Sequence, residues 1–233
     1  MFSRSAWAIL LSAATLALAA SIPMKRATVC NGHAELCNRS YGNITFVGAH
    51  DSAFISQDPL AFARDQEVDI PTQLGLGILM DYLGTVGTFL DANPNEVLTL
   101  IFTNPEGQSP ATVWKPLFDE AGSTPLAFVP PSLPIKQADW PTLGEMIDPG
   151  KRVVVFLDAN TDGADSVDFI MPEFQMIWEA PFSVDPTFPC KIDRIAGPLA
   201  DVDHMYMINH KLNKNLLSLG LVLAKNTIRK NYF

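Results

Sequence analysis

Four short apolar runs, each ending in polar side chains, most constrain what this chain can fold into. Residues 44–49 end at His50, 97–102 at Thr103-Asn104, 152–157 at Asp158-Ala-Asn160, and 205–208 at Asn209-His210. The runs are close to continuous in apolar residues rather than alternating. A strand reads this way when both its faces are covered, as in a parallel sheet flanked by helices. Helical patterns lie between the runs. Over 81–90, Leu83, Val86, Phe89 and Leu90 fall on one stripe, and Asp91-Ala-Asn-Pro-Asn95 breaks it. Residues 111–121 form a second pattern, with Trp114, Leu117 and Phe118 inward. A short helix begins at Thr142 after Pro141, and Asp148-Pro-Gly150 turns into the next run. Residues 125–134 are Pro-rich and read as a loop, while 216–224 reads as either helix or strand.

This alternation predicts an α/β fold. Strands that end in polar residues suit a TIM-type (β/α) barrel, whose strand C-termini carry the active site. On that reading His50, Asn104, Asp158 and His210 converge on one face. The clear strands are fewer than a complete barrel needs, so the barrel is expected to be incomplete.

The 233-residue chain is 48% hydrophobic and 18% charged, enough for one good core. Its formal net charge of −9 and pI near 4.8 argue against a nucleic-acid partner, whose phosphates need a basic footprint. Arg4, the apolar run 6–20 and the small-x-small triplet Ala17-Leu18-Ala19 read as a signal peptide over residues 1–19, hence a secreted, extracellular protein. The run is shorter than the ~20 residues that span a bilayer, so no transmembrane anchor is expected. Residues 20–29 form a short pro-segment or linker. Within it Lys25-Arg26 is either a second processing site or an exposed charged pair.

Cys30 and Cys37 lie close together in a Gly- and Asn-containing loop and are expected to form a disulfide. Cys190 is the odd cysteine of three, which is a flag in a secreted chain. Asn38-Arg39-Ser40 and Asn43-Ile44-Thr45 are glycosylation acceptors. Asn43 opens a run read as a strand, which favours Asn38. No Gly-rich phosphate loop, metal-type His/Cys cluster or Gly-x-Ser-x-Gly elbow is present.

Five stretches together resemble a known family. They are Cys30-Asn-Gly-His-Ala-Glu-Leu-Cys37, Gly48-Ala-His-Asp-Ser52, Asp81-Tyr-Leu with Phe89-Leu-Asp-Ala-Asn-Pro94, Trp140-Pro-Thr-Leu-Gly-Glu145 with Val153-Val-Val-Phe156, and residues 205–210. The chain resembles the secreted fungal PLC-like phosphodiesterases, relatives of the phosphatidylinositol-specific phospholipase C X domain. The resemblance places the domain at residues 30–215 and leaves 216–233 as a divergent tail. It implies cleavage of a phosphodiester, in a phosphoinositide or related phospholipid head group, by a pair of histidines. One takes a proton from the attacking hydroxyl and matches His50. Asp51, directly after it, orients the second histidine.

The stretch that should carry the second histidine is absent. Gln73-Leu-Gly-Leu-Gly-Ile78 runs directly into Leu79-Met-Asp-Tyr82, as after a deletion or a mis-joined gene model. The family's closing strand is not recognisable after His210. His33 is expected to be solvated, and His204 to precede its strand at the wrong end. His210 follows its strand and is the candidate substitute acid. Relatives differ in metal dependence, so the resemblance admits calcium or magnesium but names no ligand here. Loss of one proton-transfer partner costs about 10²–10⁴-fold, so turnover should be crippled. The alternatives are a secreted pseudoenzyme that binds a head group, or a truncated product. Oligomeric state is not legible.

Overall fold

The computed structural model describes residues 26–48, 78–181, 190–209, 212–216 and 221–225. Its centre is β2 (Val153–Leu157), five consecutive apolar residues that are all buried. β2 pairs in parallel with β1 (Leu98–Phe102) on one side and β3 (Ile170–Pro172) on the other. A second parallel pair joins β4 (Ile177–Glu179) to β5 (Met205–Met207). The short turn Glu173–Gln175 and Met176 link β3 to β4. β6 (Leu212–Leu216) and β7 (Leu221–Lys225) form an antiparallel hairpin.

Alternation along β2 divides two cores, because successive side chains leave opposite faces of a strand. Val153, Val155 and Leu157 meet α1 (Ile78–Ala92) and α2 (Lys115–Glu120) through Leu83, Leu90 and Phe118. Val154 and Phe156 join the other core with Trp140 and with Leu143 and Met146 of α3 (Leu143–Ile147). Both faces of the sheet are therefore covered, which is what the continuous apolar run requires.

Each helix has a local cause. α1 buries Leu79, Leu83, Val86 and Leu90, one stripe at helical spacing. Phe89, expected on that stripe, is 42% exposed, since it flanks the stripe formed by its neighbours. The Arg152 guanidinium caps the helix end by donating to the carbonyls of Leu90 (2.9 Å) and Asn93 (3.2 Å). α2 follows a wider turn, Pro110–Trp114, capped by the Ser109 hydroxyl. α3 opens with a capping box. The Glu145 N–H donates to Thr142 Oγ1, and the Thr142 N–H donates to Glu145 Oε2. That backbone bond from Thr142 holds the Glu145 carboxyl below its usual range.

The N-terminal loop closes on itself through the Cys30–Cys37 disulfide and docks across the second core. The Tyr41 hydroxyl meets Thr99 Oγ1 at 2.5 Å, and its ring packs on Trp140. Burial pushes the Tyr41 phenol well above its ordinary pKa. The contact is close enough that a Cβ on Gly144 would stand 2.9 Å from the Cys37 carbonyl oxygen.

The architecture is α/β with small parallel sheets, and no closed barrel forms among the described residues. One expectation needs correction. Residues 44–48 carry no strand pairing, and Phe46 and Val47 are exposed rather than covered on both faces. Of the stretch 216–224, read as either helix or strand, the described residues are strand: Leu216 ends β6 and 221–224 lie in β7. Among the described residues no helix is long and apolar enough to cross a membrane.

Candidate functional site

Parallel strands deliver their following residues to one edge, and that edge gathers the polar groups of this fold. Asn104 follows β1 by two residues and Asp158 follows β2 directly. The two are joined, the Asn104 N–H donating to Asp158 Oδ1 at 2.6 Å. Asn104 is wholly buried, and its side chain is fully engaged. Its Nδ2 donates to the carbonyls of Gln108 (2.9 Å) and Ala159 (3.1 Å), and its Oδ1 accepts from the Gln108 N–H (2.8 Å). It ties two strand-end loops together.

Glu173 follows β3, whose Pro172 pairs with Leu157, so Glu173 and Asp158 occupy the next register position. Glu173 is 2% exposed, and its Oε1 has no hydrogen-bond partner. Burial first, then the hydrogen bond and charge of Glu179, then the charge of Asp158, push its pKa up to about 9. It is a neutral acid at neutral pH. Glu179, the last residue of β4, is equally buried and is ion-paired with the Arg194 guanidinium. Arg194 also lies 4.8 Å over the Phe174 ring. The edge continues to Asn209, whose Nδ2 donates to the Ala180 carbonyl at 2.9 Å.

Sequence reasoning overlooked Glu173 and Glu179. Their signal was weak, because they flank strands of three residues each. His50, Asp51 and His210 lie outside the described residues, as do residues 73–77 that lead to the junction, whose Ile78 and Leu79 open α1. Two other histidines are accounted for. His33 is solvent-exposed, with Nδ1 3.4 Å from Glu35 Oε1. His204, just before β5, is 2% exposed, its Nδ1 2.9 Å from the Ala200 carbonyl oxygen and its Nε2 3.3 Å from that of Ala196. Cys190 is exposed. Asn38 and Asn43 are both exposed, and each ends a short helical turn, so the strand argument against Asn43 falls away.

Among the described residues no group of three or more His, Cys, Asp or Glu side chains is disposed to hold a metal ion. The strand-end carboxylates are a poor donor set for calcium or magnesium. Glu173 is protonated, Glu179 is neutralised by Arg194, and Asp158 is occupied by the Asn104 N–H. Two open grooves lie elsewhere. One of about 580 Å³ runs along Met80, Thr85 and Phe89 of α1, and one of about 490 Å³ lies near Lys115, Lys151 and Asp168.

The PI-PLC X family model matches the chain in two pieces, residues 36–80 and 72–231, which overlap where the sequence lacks the second-histidine stretch. A PI-PLC X domain-containing protein 1 of Arthroderma benhamiae is 36% identical over 251 residues, covering 92% of this chain and 78% of the relative. That alignment is longer than the 233-residue chain, so the relative carries residues with no counterpart here. A secreted protein of the same fungus is 37% identical over 235 residues, covering 87% of this chain, which spans about half (52%) of that relative. No solved structure matches the chain. With a family model covering most of its length and a relative matched along nearly all of it, the chain belongs to the PI-PLC X-domain family of phospholipase C-like proteins.

Proposed function

We propose that this protein is a secreted phosphoric diester hydrolase of the phospholipase C type, acting on a phosphoinositide or related head group, with turnover weakened by the loss of a proton donor. One observation carries the reading. The sequence has four histidines, and the fold commits two of them elsewhere. His33 sits in the disulfide loop beside Glu35, and both ring nitrogens of His204 face backbone carbonyls. A two-histidine mechanism therefore has only His50 and His210 to draw on.

In this reading His50 accepts the proton of the attacking hydroxyl or water as its oxygen bonds to phosphorus. Asp51 supports that site electrostatically. The bond to the leaving oxygen breaks, and that oxygen needs a proton because a free alkoxide is a poor leaving group. His210 is the remaining histidine for that role. The split family match and the longer relative support the loss of an inner segment, in keeping with a (β/α) barrel that is incomplete. The signal peptide at 1–19, the domain at 30–215 and glycosylation at Asn38 and Asn43 belong to the same reading.

The test uses the chain from Ala27 onward, assayed on phosphatidylinositol and on a nitrophenyl phosphodiester. Wild type is expected to turn over the nitrophenyl substrate, whose leaving group needs no acid, and to be near background on the lipid. His50→Ala should abolish both activities. Robust lipid cleavage that survives His210→Ala would overturn the argument from the missing donor. Head-group binding with no His50-dependent turnover on either substrate would show a binding protein instead.

A further inference from the structure

Ala27 is pinned to the fold, its backbone N–H donating to Asp148 Oδ1 at 2.7 Å while the residue packs against the second core. Asp148 is half-buried and directly follows α3. The next residues are anchored as firmly. Cys30 is bridged to Cys37. The Asn31 N–H donates to the Asn95 carbonyl, and the Asn31 side chain bonds both the carbonyl and the N–H of Val97. One residue before this anchored segment, Arg26 is exposed, and it is the second member of the dibasic pair Lys25-Arg26.

The bond at Ala27 is already charge-assisted through its acceptor, like the 2.6 Å bond from the Asn104 N–H to Asp158 Oδ1. A free α-amine at this nitrogen would add a charge on the donor side and turn the bond into an ion pair with Asp148. The local charge balance agrees. After the Thr142 bonds, the positive charge of Arg26 also favours the ionised Glu145 carboxyl. An ammonium at Ala27 would put a cation back near Glu145 and Asp148 once Arg26 had left.

We propose that the Arg26–Ala27 peptide bond is a maturation site for an endoprotease that cleaves after paired basic residues, and that Asp148 holds the α-ammonium so released. Water is the co-reactant. The C–N bond breaks, Arg26 departs as a carboxylate, and the Ala27 nitrogen takes up protons to become an ammonium. The cut lies outside the disulfide loop, which it leaves closed. Maturation then adds an ion pair where the precursor has an amide bond to a carboxylate.

The full chain, treated under native conditions with a purified paired-basic endoprotease, tests the cut by intact mass and N-terminal sequencing. A single new N-terminus at Ala27 is expected, and Lys25→Ala/Arg26→Ala should leave the chain uncut. Resistance of the wild-type bond, or a stable product starting elsewhere, would overturn the site. Urea midpoints of cut and uncut protein test the role of Asp148. The cut form should unfold at higher urea, and the gain should vanish in Asp148→Asn and on N-terminal acetylation of the cut protein. Equal midpoints for cut and uncut wild type, or a gain that survives acetylation, would overturn it.

Discussion

With its Oε1 buried and unbonded, and with Glu179 and Asp158 close by, Glu173 keeps its proton to about pH 9. In the unfolded chain the same carboxyl ionises near its ordinary value of 4.5. Between those limits the unfolded state releases a proton that the folded state retains. The contribution is full below pH 4.5 and is lost as pH rises toward 9. Glu173→Gln keeps the shape and removes the titration. Urea titrations at pH 5 and pH 8 should show the variant gaining at least about 1 kcal/mol on wild type over that interval. An unchanged difference would mean that Glu173 ionises normally. Its neighbour supplies the converse case. Arg194→Ala strands the buried Glu179 carboxylate and is expected to cost about 1–3 kcal/mol, less than a fully buried pair would, because the Arg194 side chain is 42% exposed. Adding Glu179→Gln should restore much of that loss, because a neutral amide leaves no unpaired charge buried at that position.

At the level of elements, β1 and β2 were legible because unbroken apolar runs of strand length have few other uses in a chain with helical patterns between them. α1 and α3 were legible for similar reasons, one from its stripe and its Asn-Pro stop, the other from Pro141 and a capping threonine. β3 and β4 were not. Each is three residues long, Pro172 ends the first, and the intervening turn breaks any period. The apolar run at 44–48 misled because hydrophobicity alone does not supply a neighbouring strand, and Phe46 instead lies against the Tyr41 ring. The strand-end face was legible in part. Asn104 and Asp158 were placed there from their positions, but the sequence could not show that Asn104 spends its amide on Gln108 and Ala159. Asn104→Ala should therefore cost about 2–3 kcal/mol of stability through the buried groups it leaves unpaired. Circular-dichroism melts of wild type and variant would check this, and an unchanged melt would show that the loops hold without the amide.

For the molecule as a whole, the N-terminal loop acts as a clasp over the second core. Cys30 and Cys37 are separated by seven positions, a short ring, so replacing both by serine should lower stability by about 2–3 kcal/mol. Equal urea midpoints for the oxidised wild type and the double variant would show that the clasp is held by its other contacts alone. Those contacts reach far along the chain. Ser40 Oγ donates to the Trp140 carbonyl, Arg39 accepts from the Leu143 N–H, and Ala27 waits for Asp148. The ribosome makes the first members of these pairs about 100 residues before the second, a delay of roughly 5–20 seconds at ordinary synthesis rates. Throughout that interval the Asn38-Arg39-Ser40 acceptor has its hydroxyl free, and once the clasp docks the hydroxyl is taken by Trp140. The order of synthesis thus opens a window for sugar transfer that docking closes, and a glycan at Asn38 would be added while the chain is still emerging.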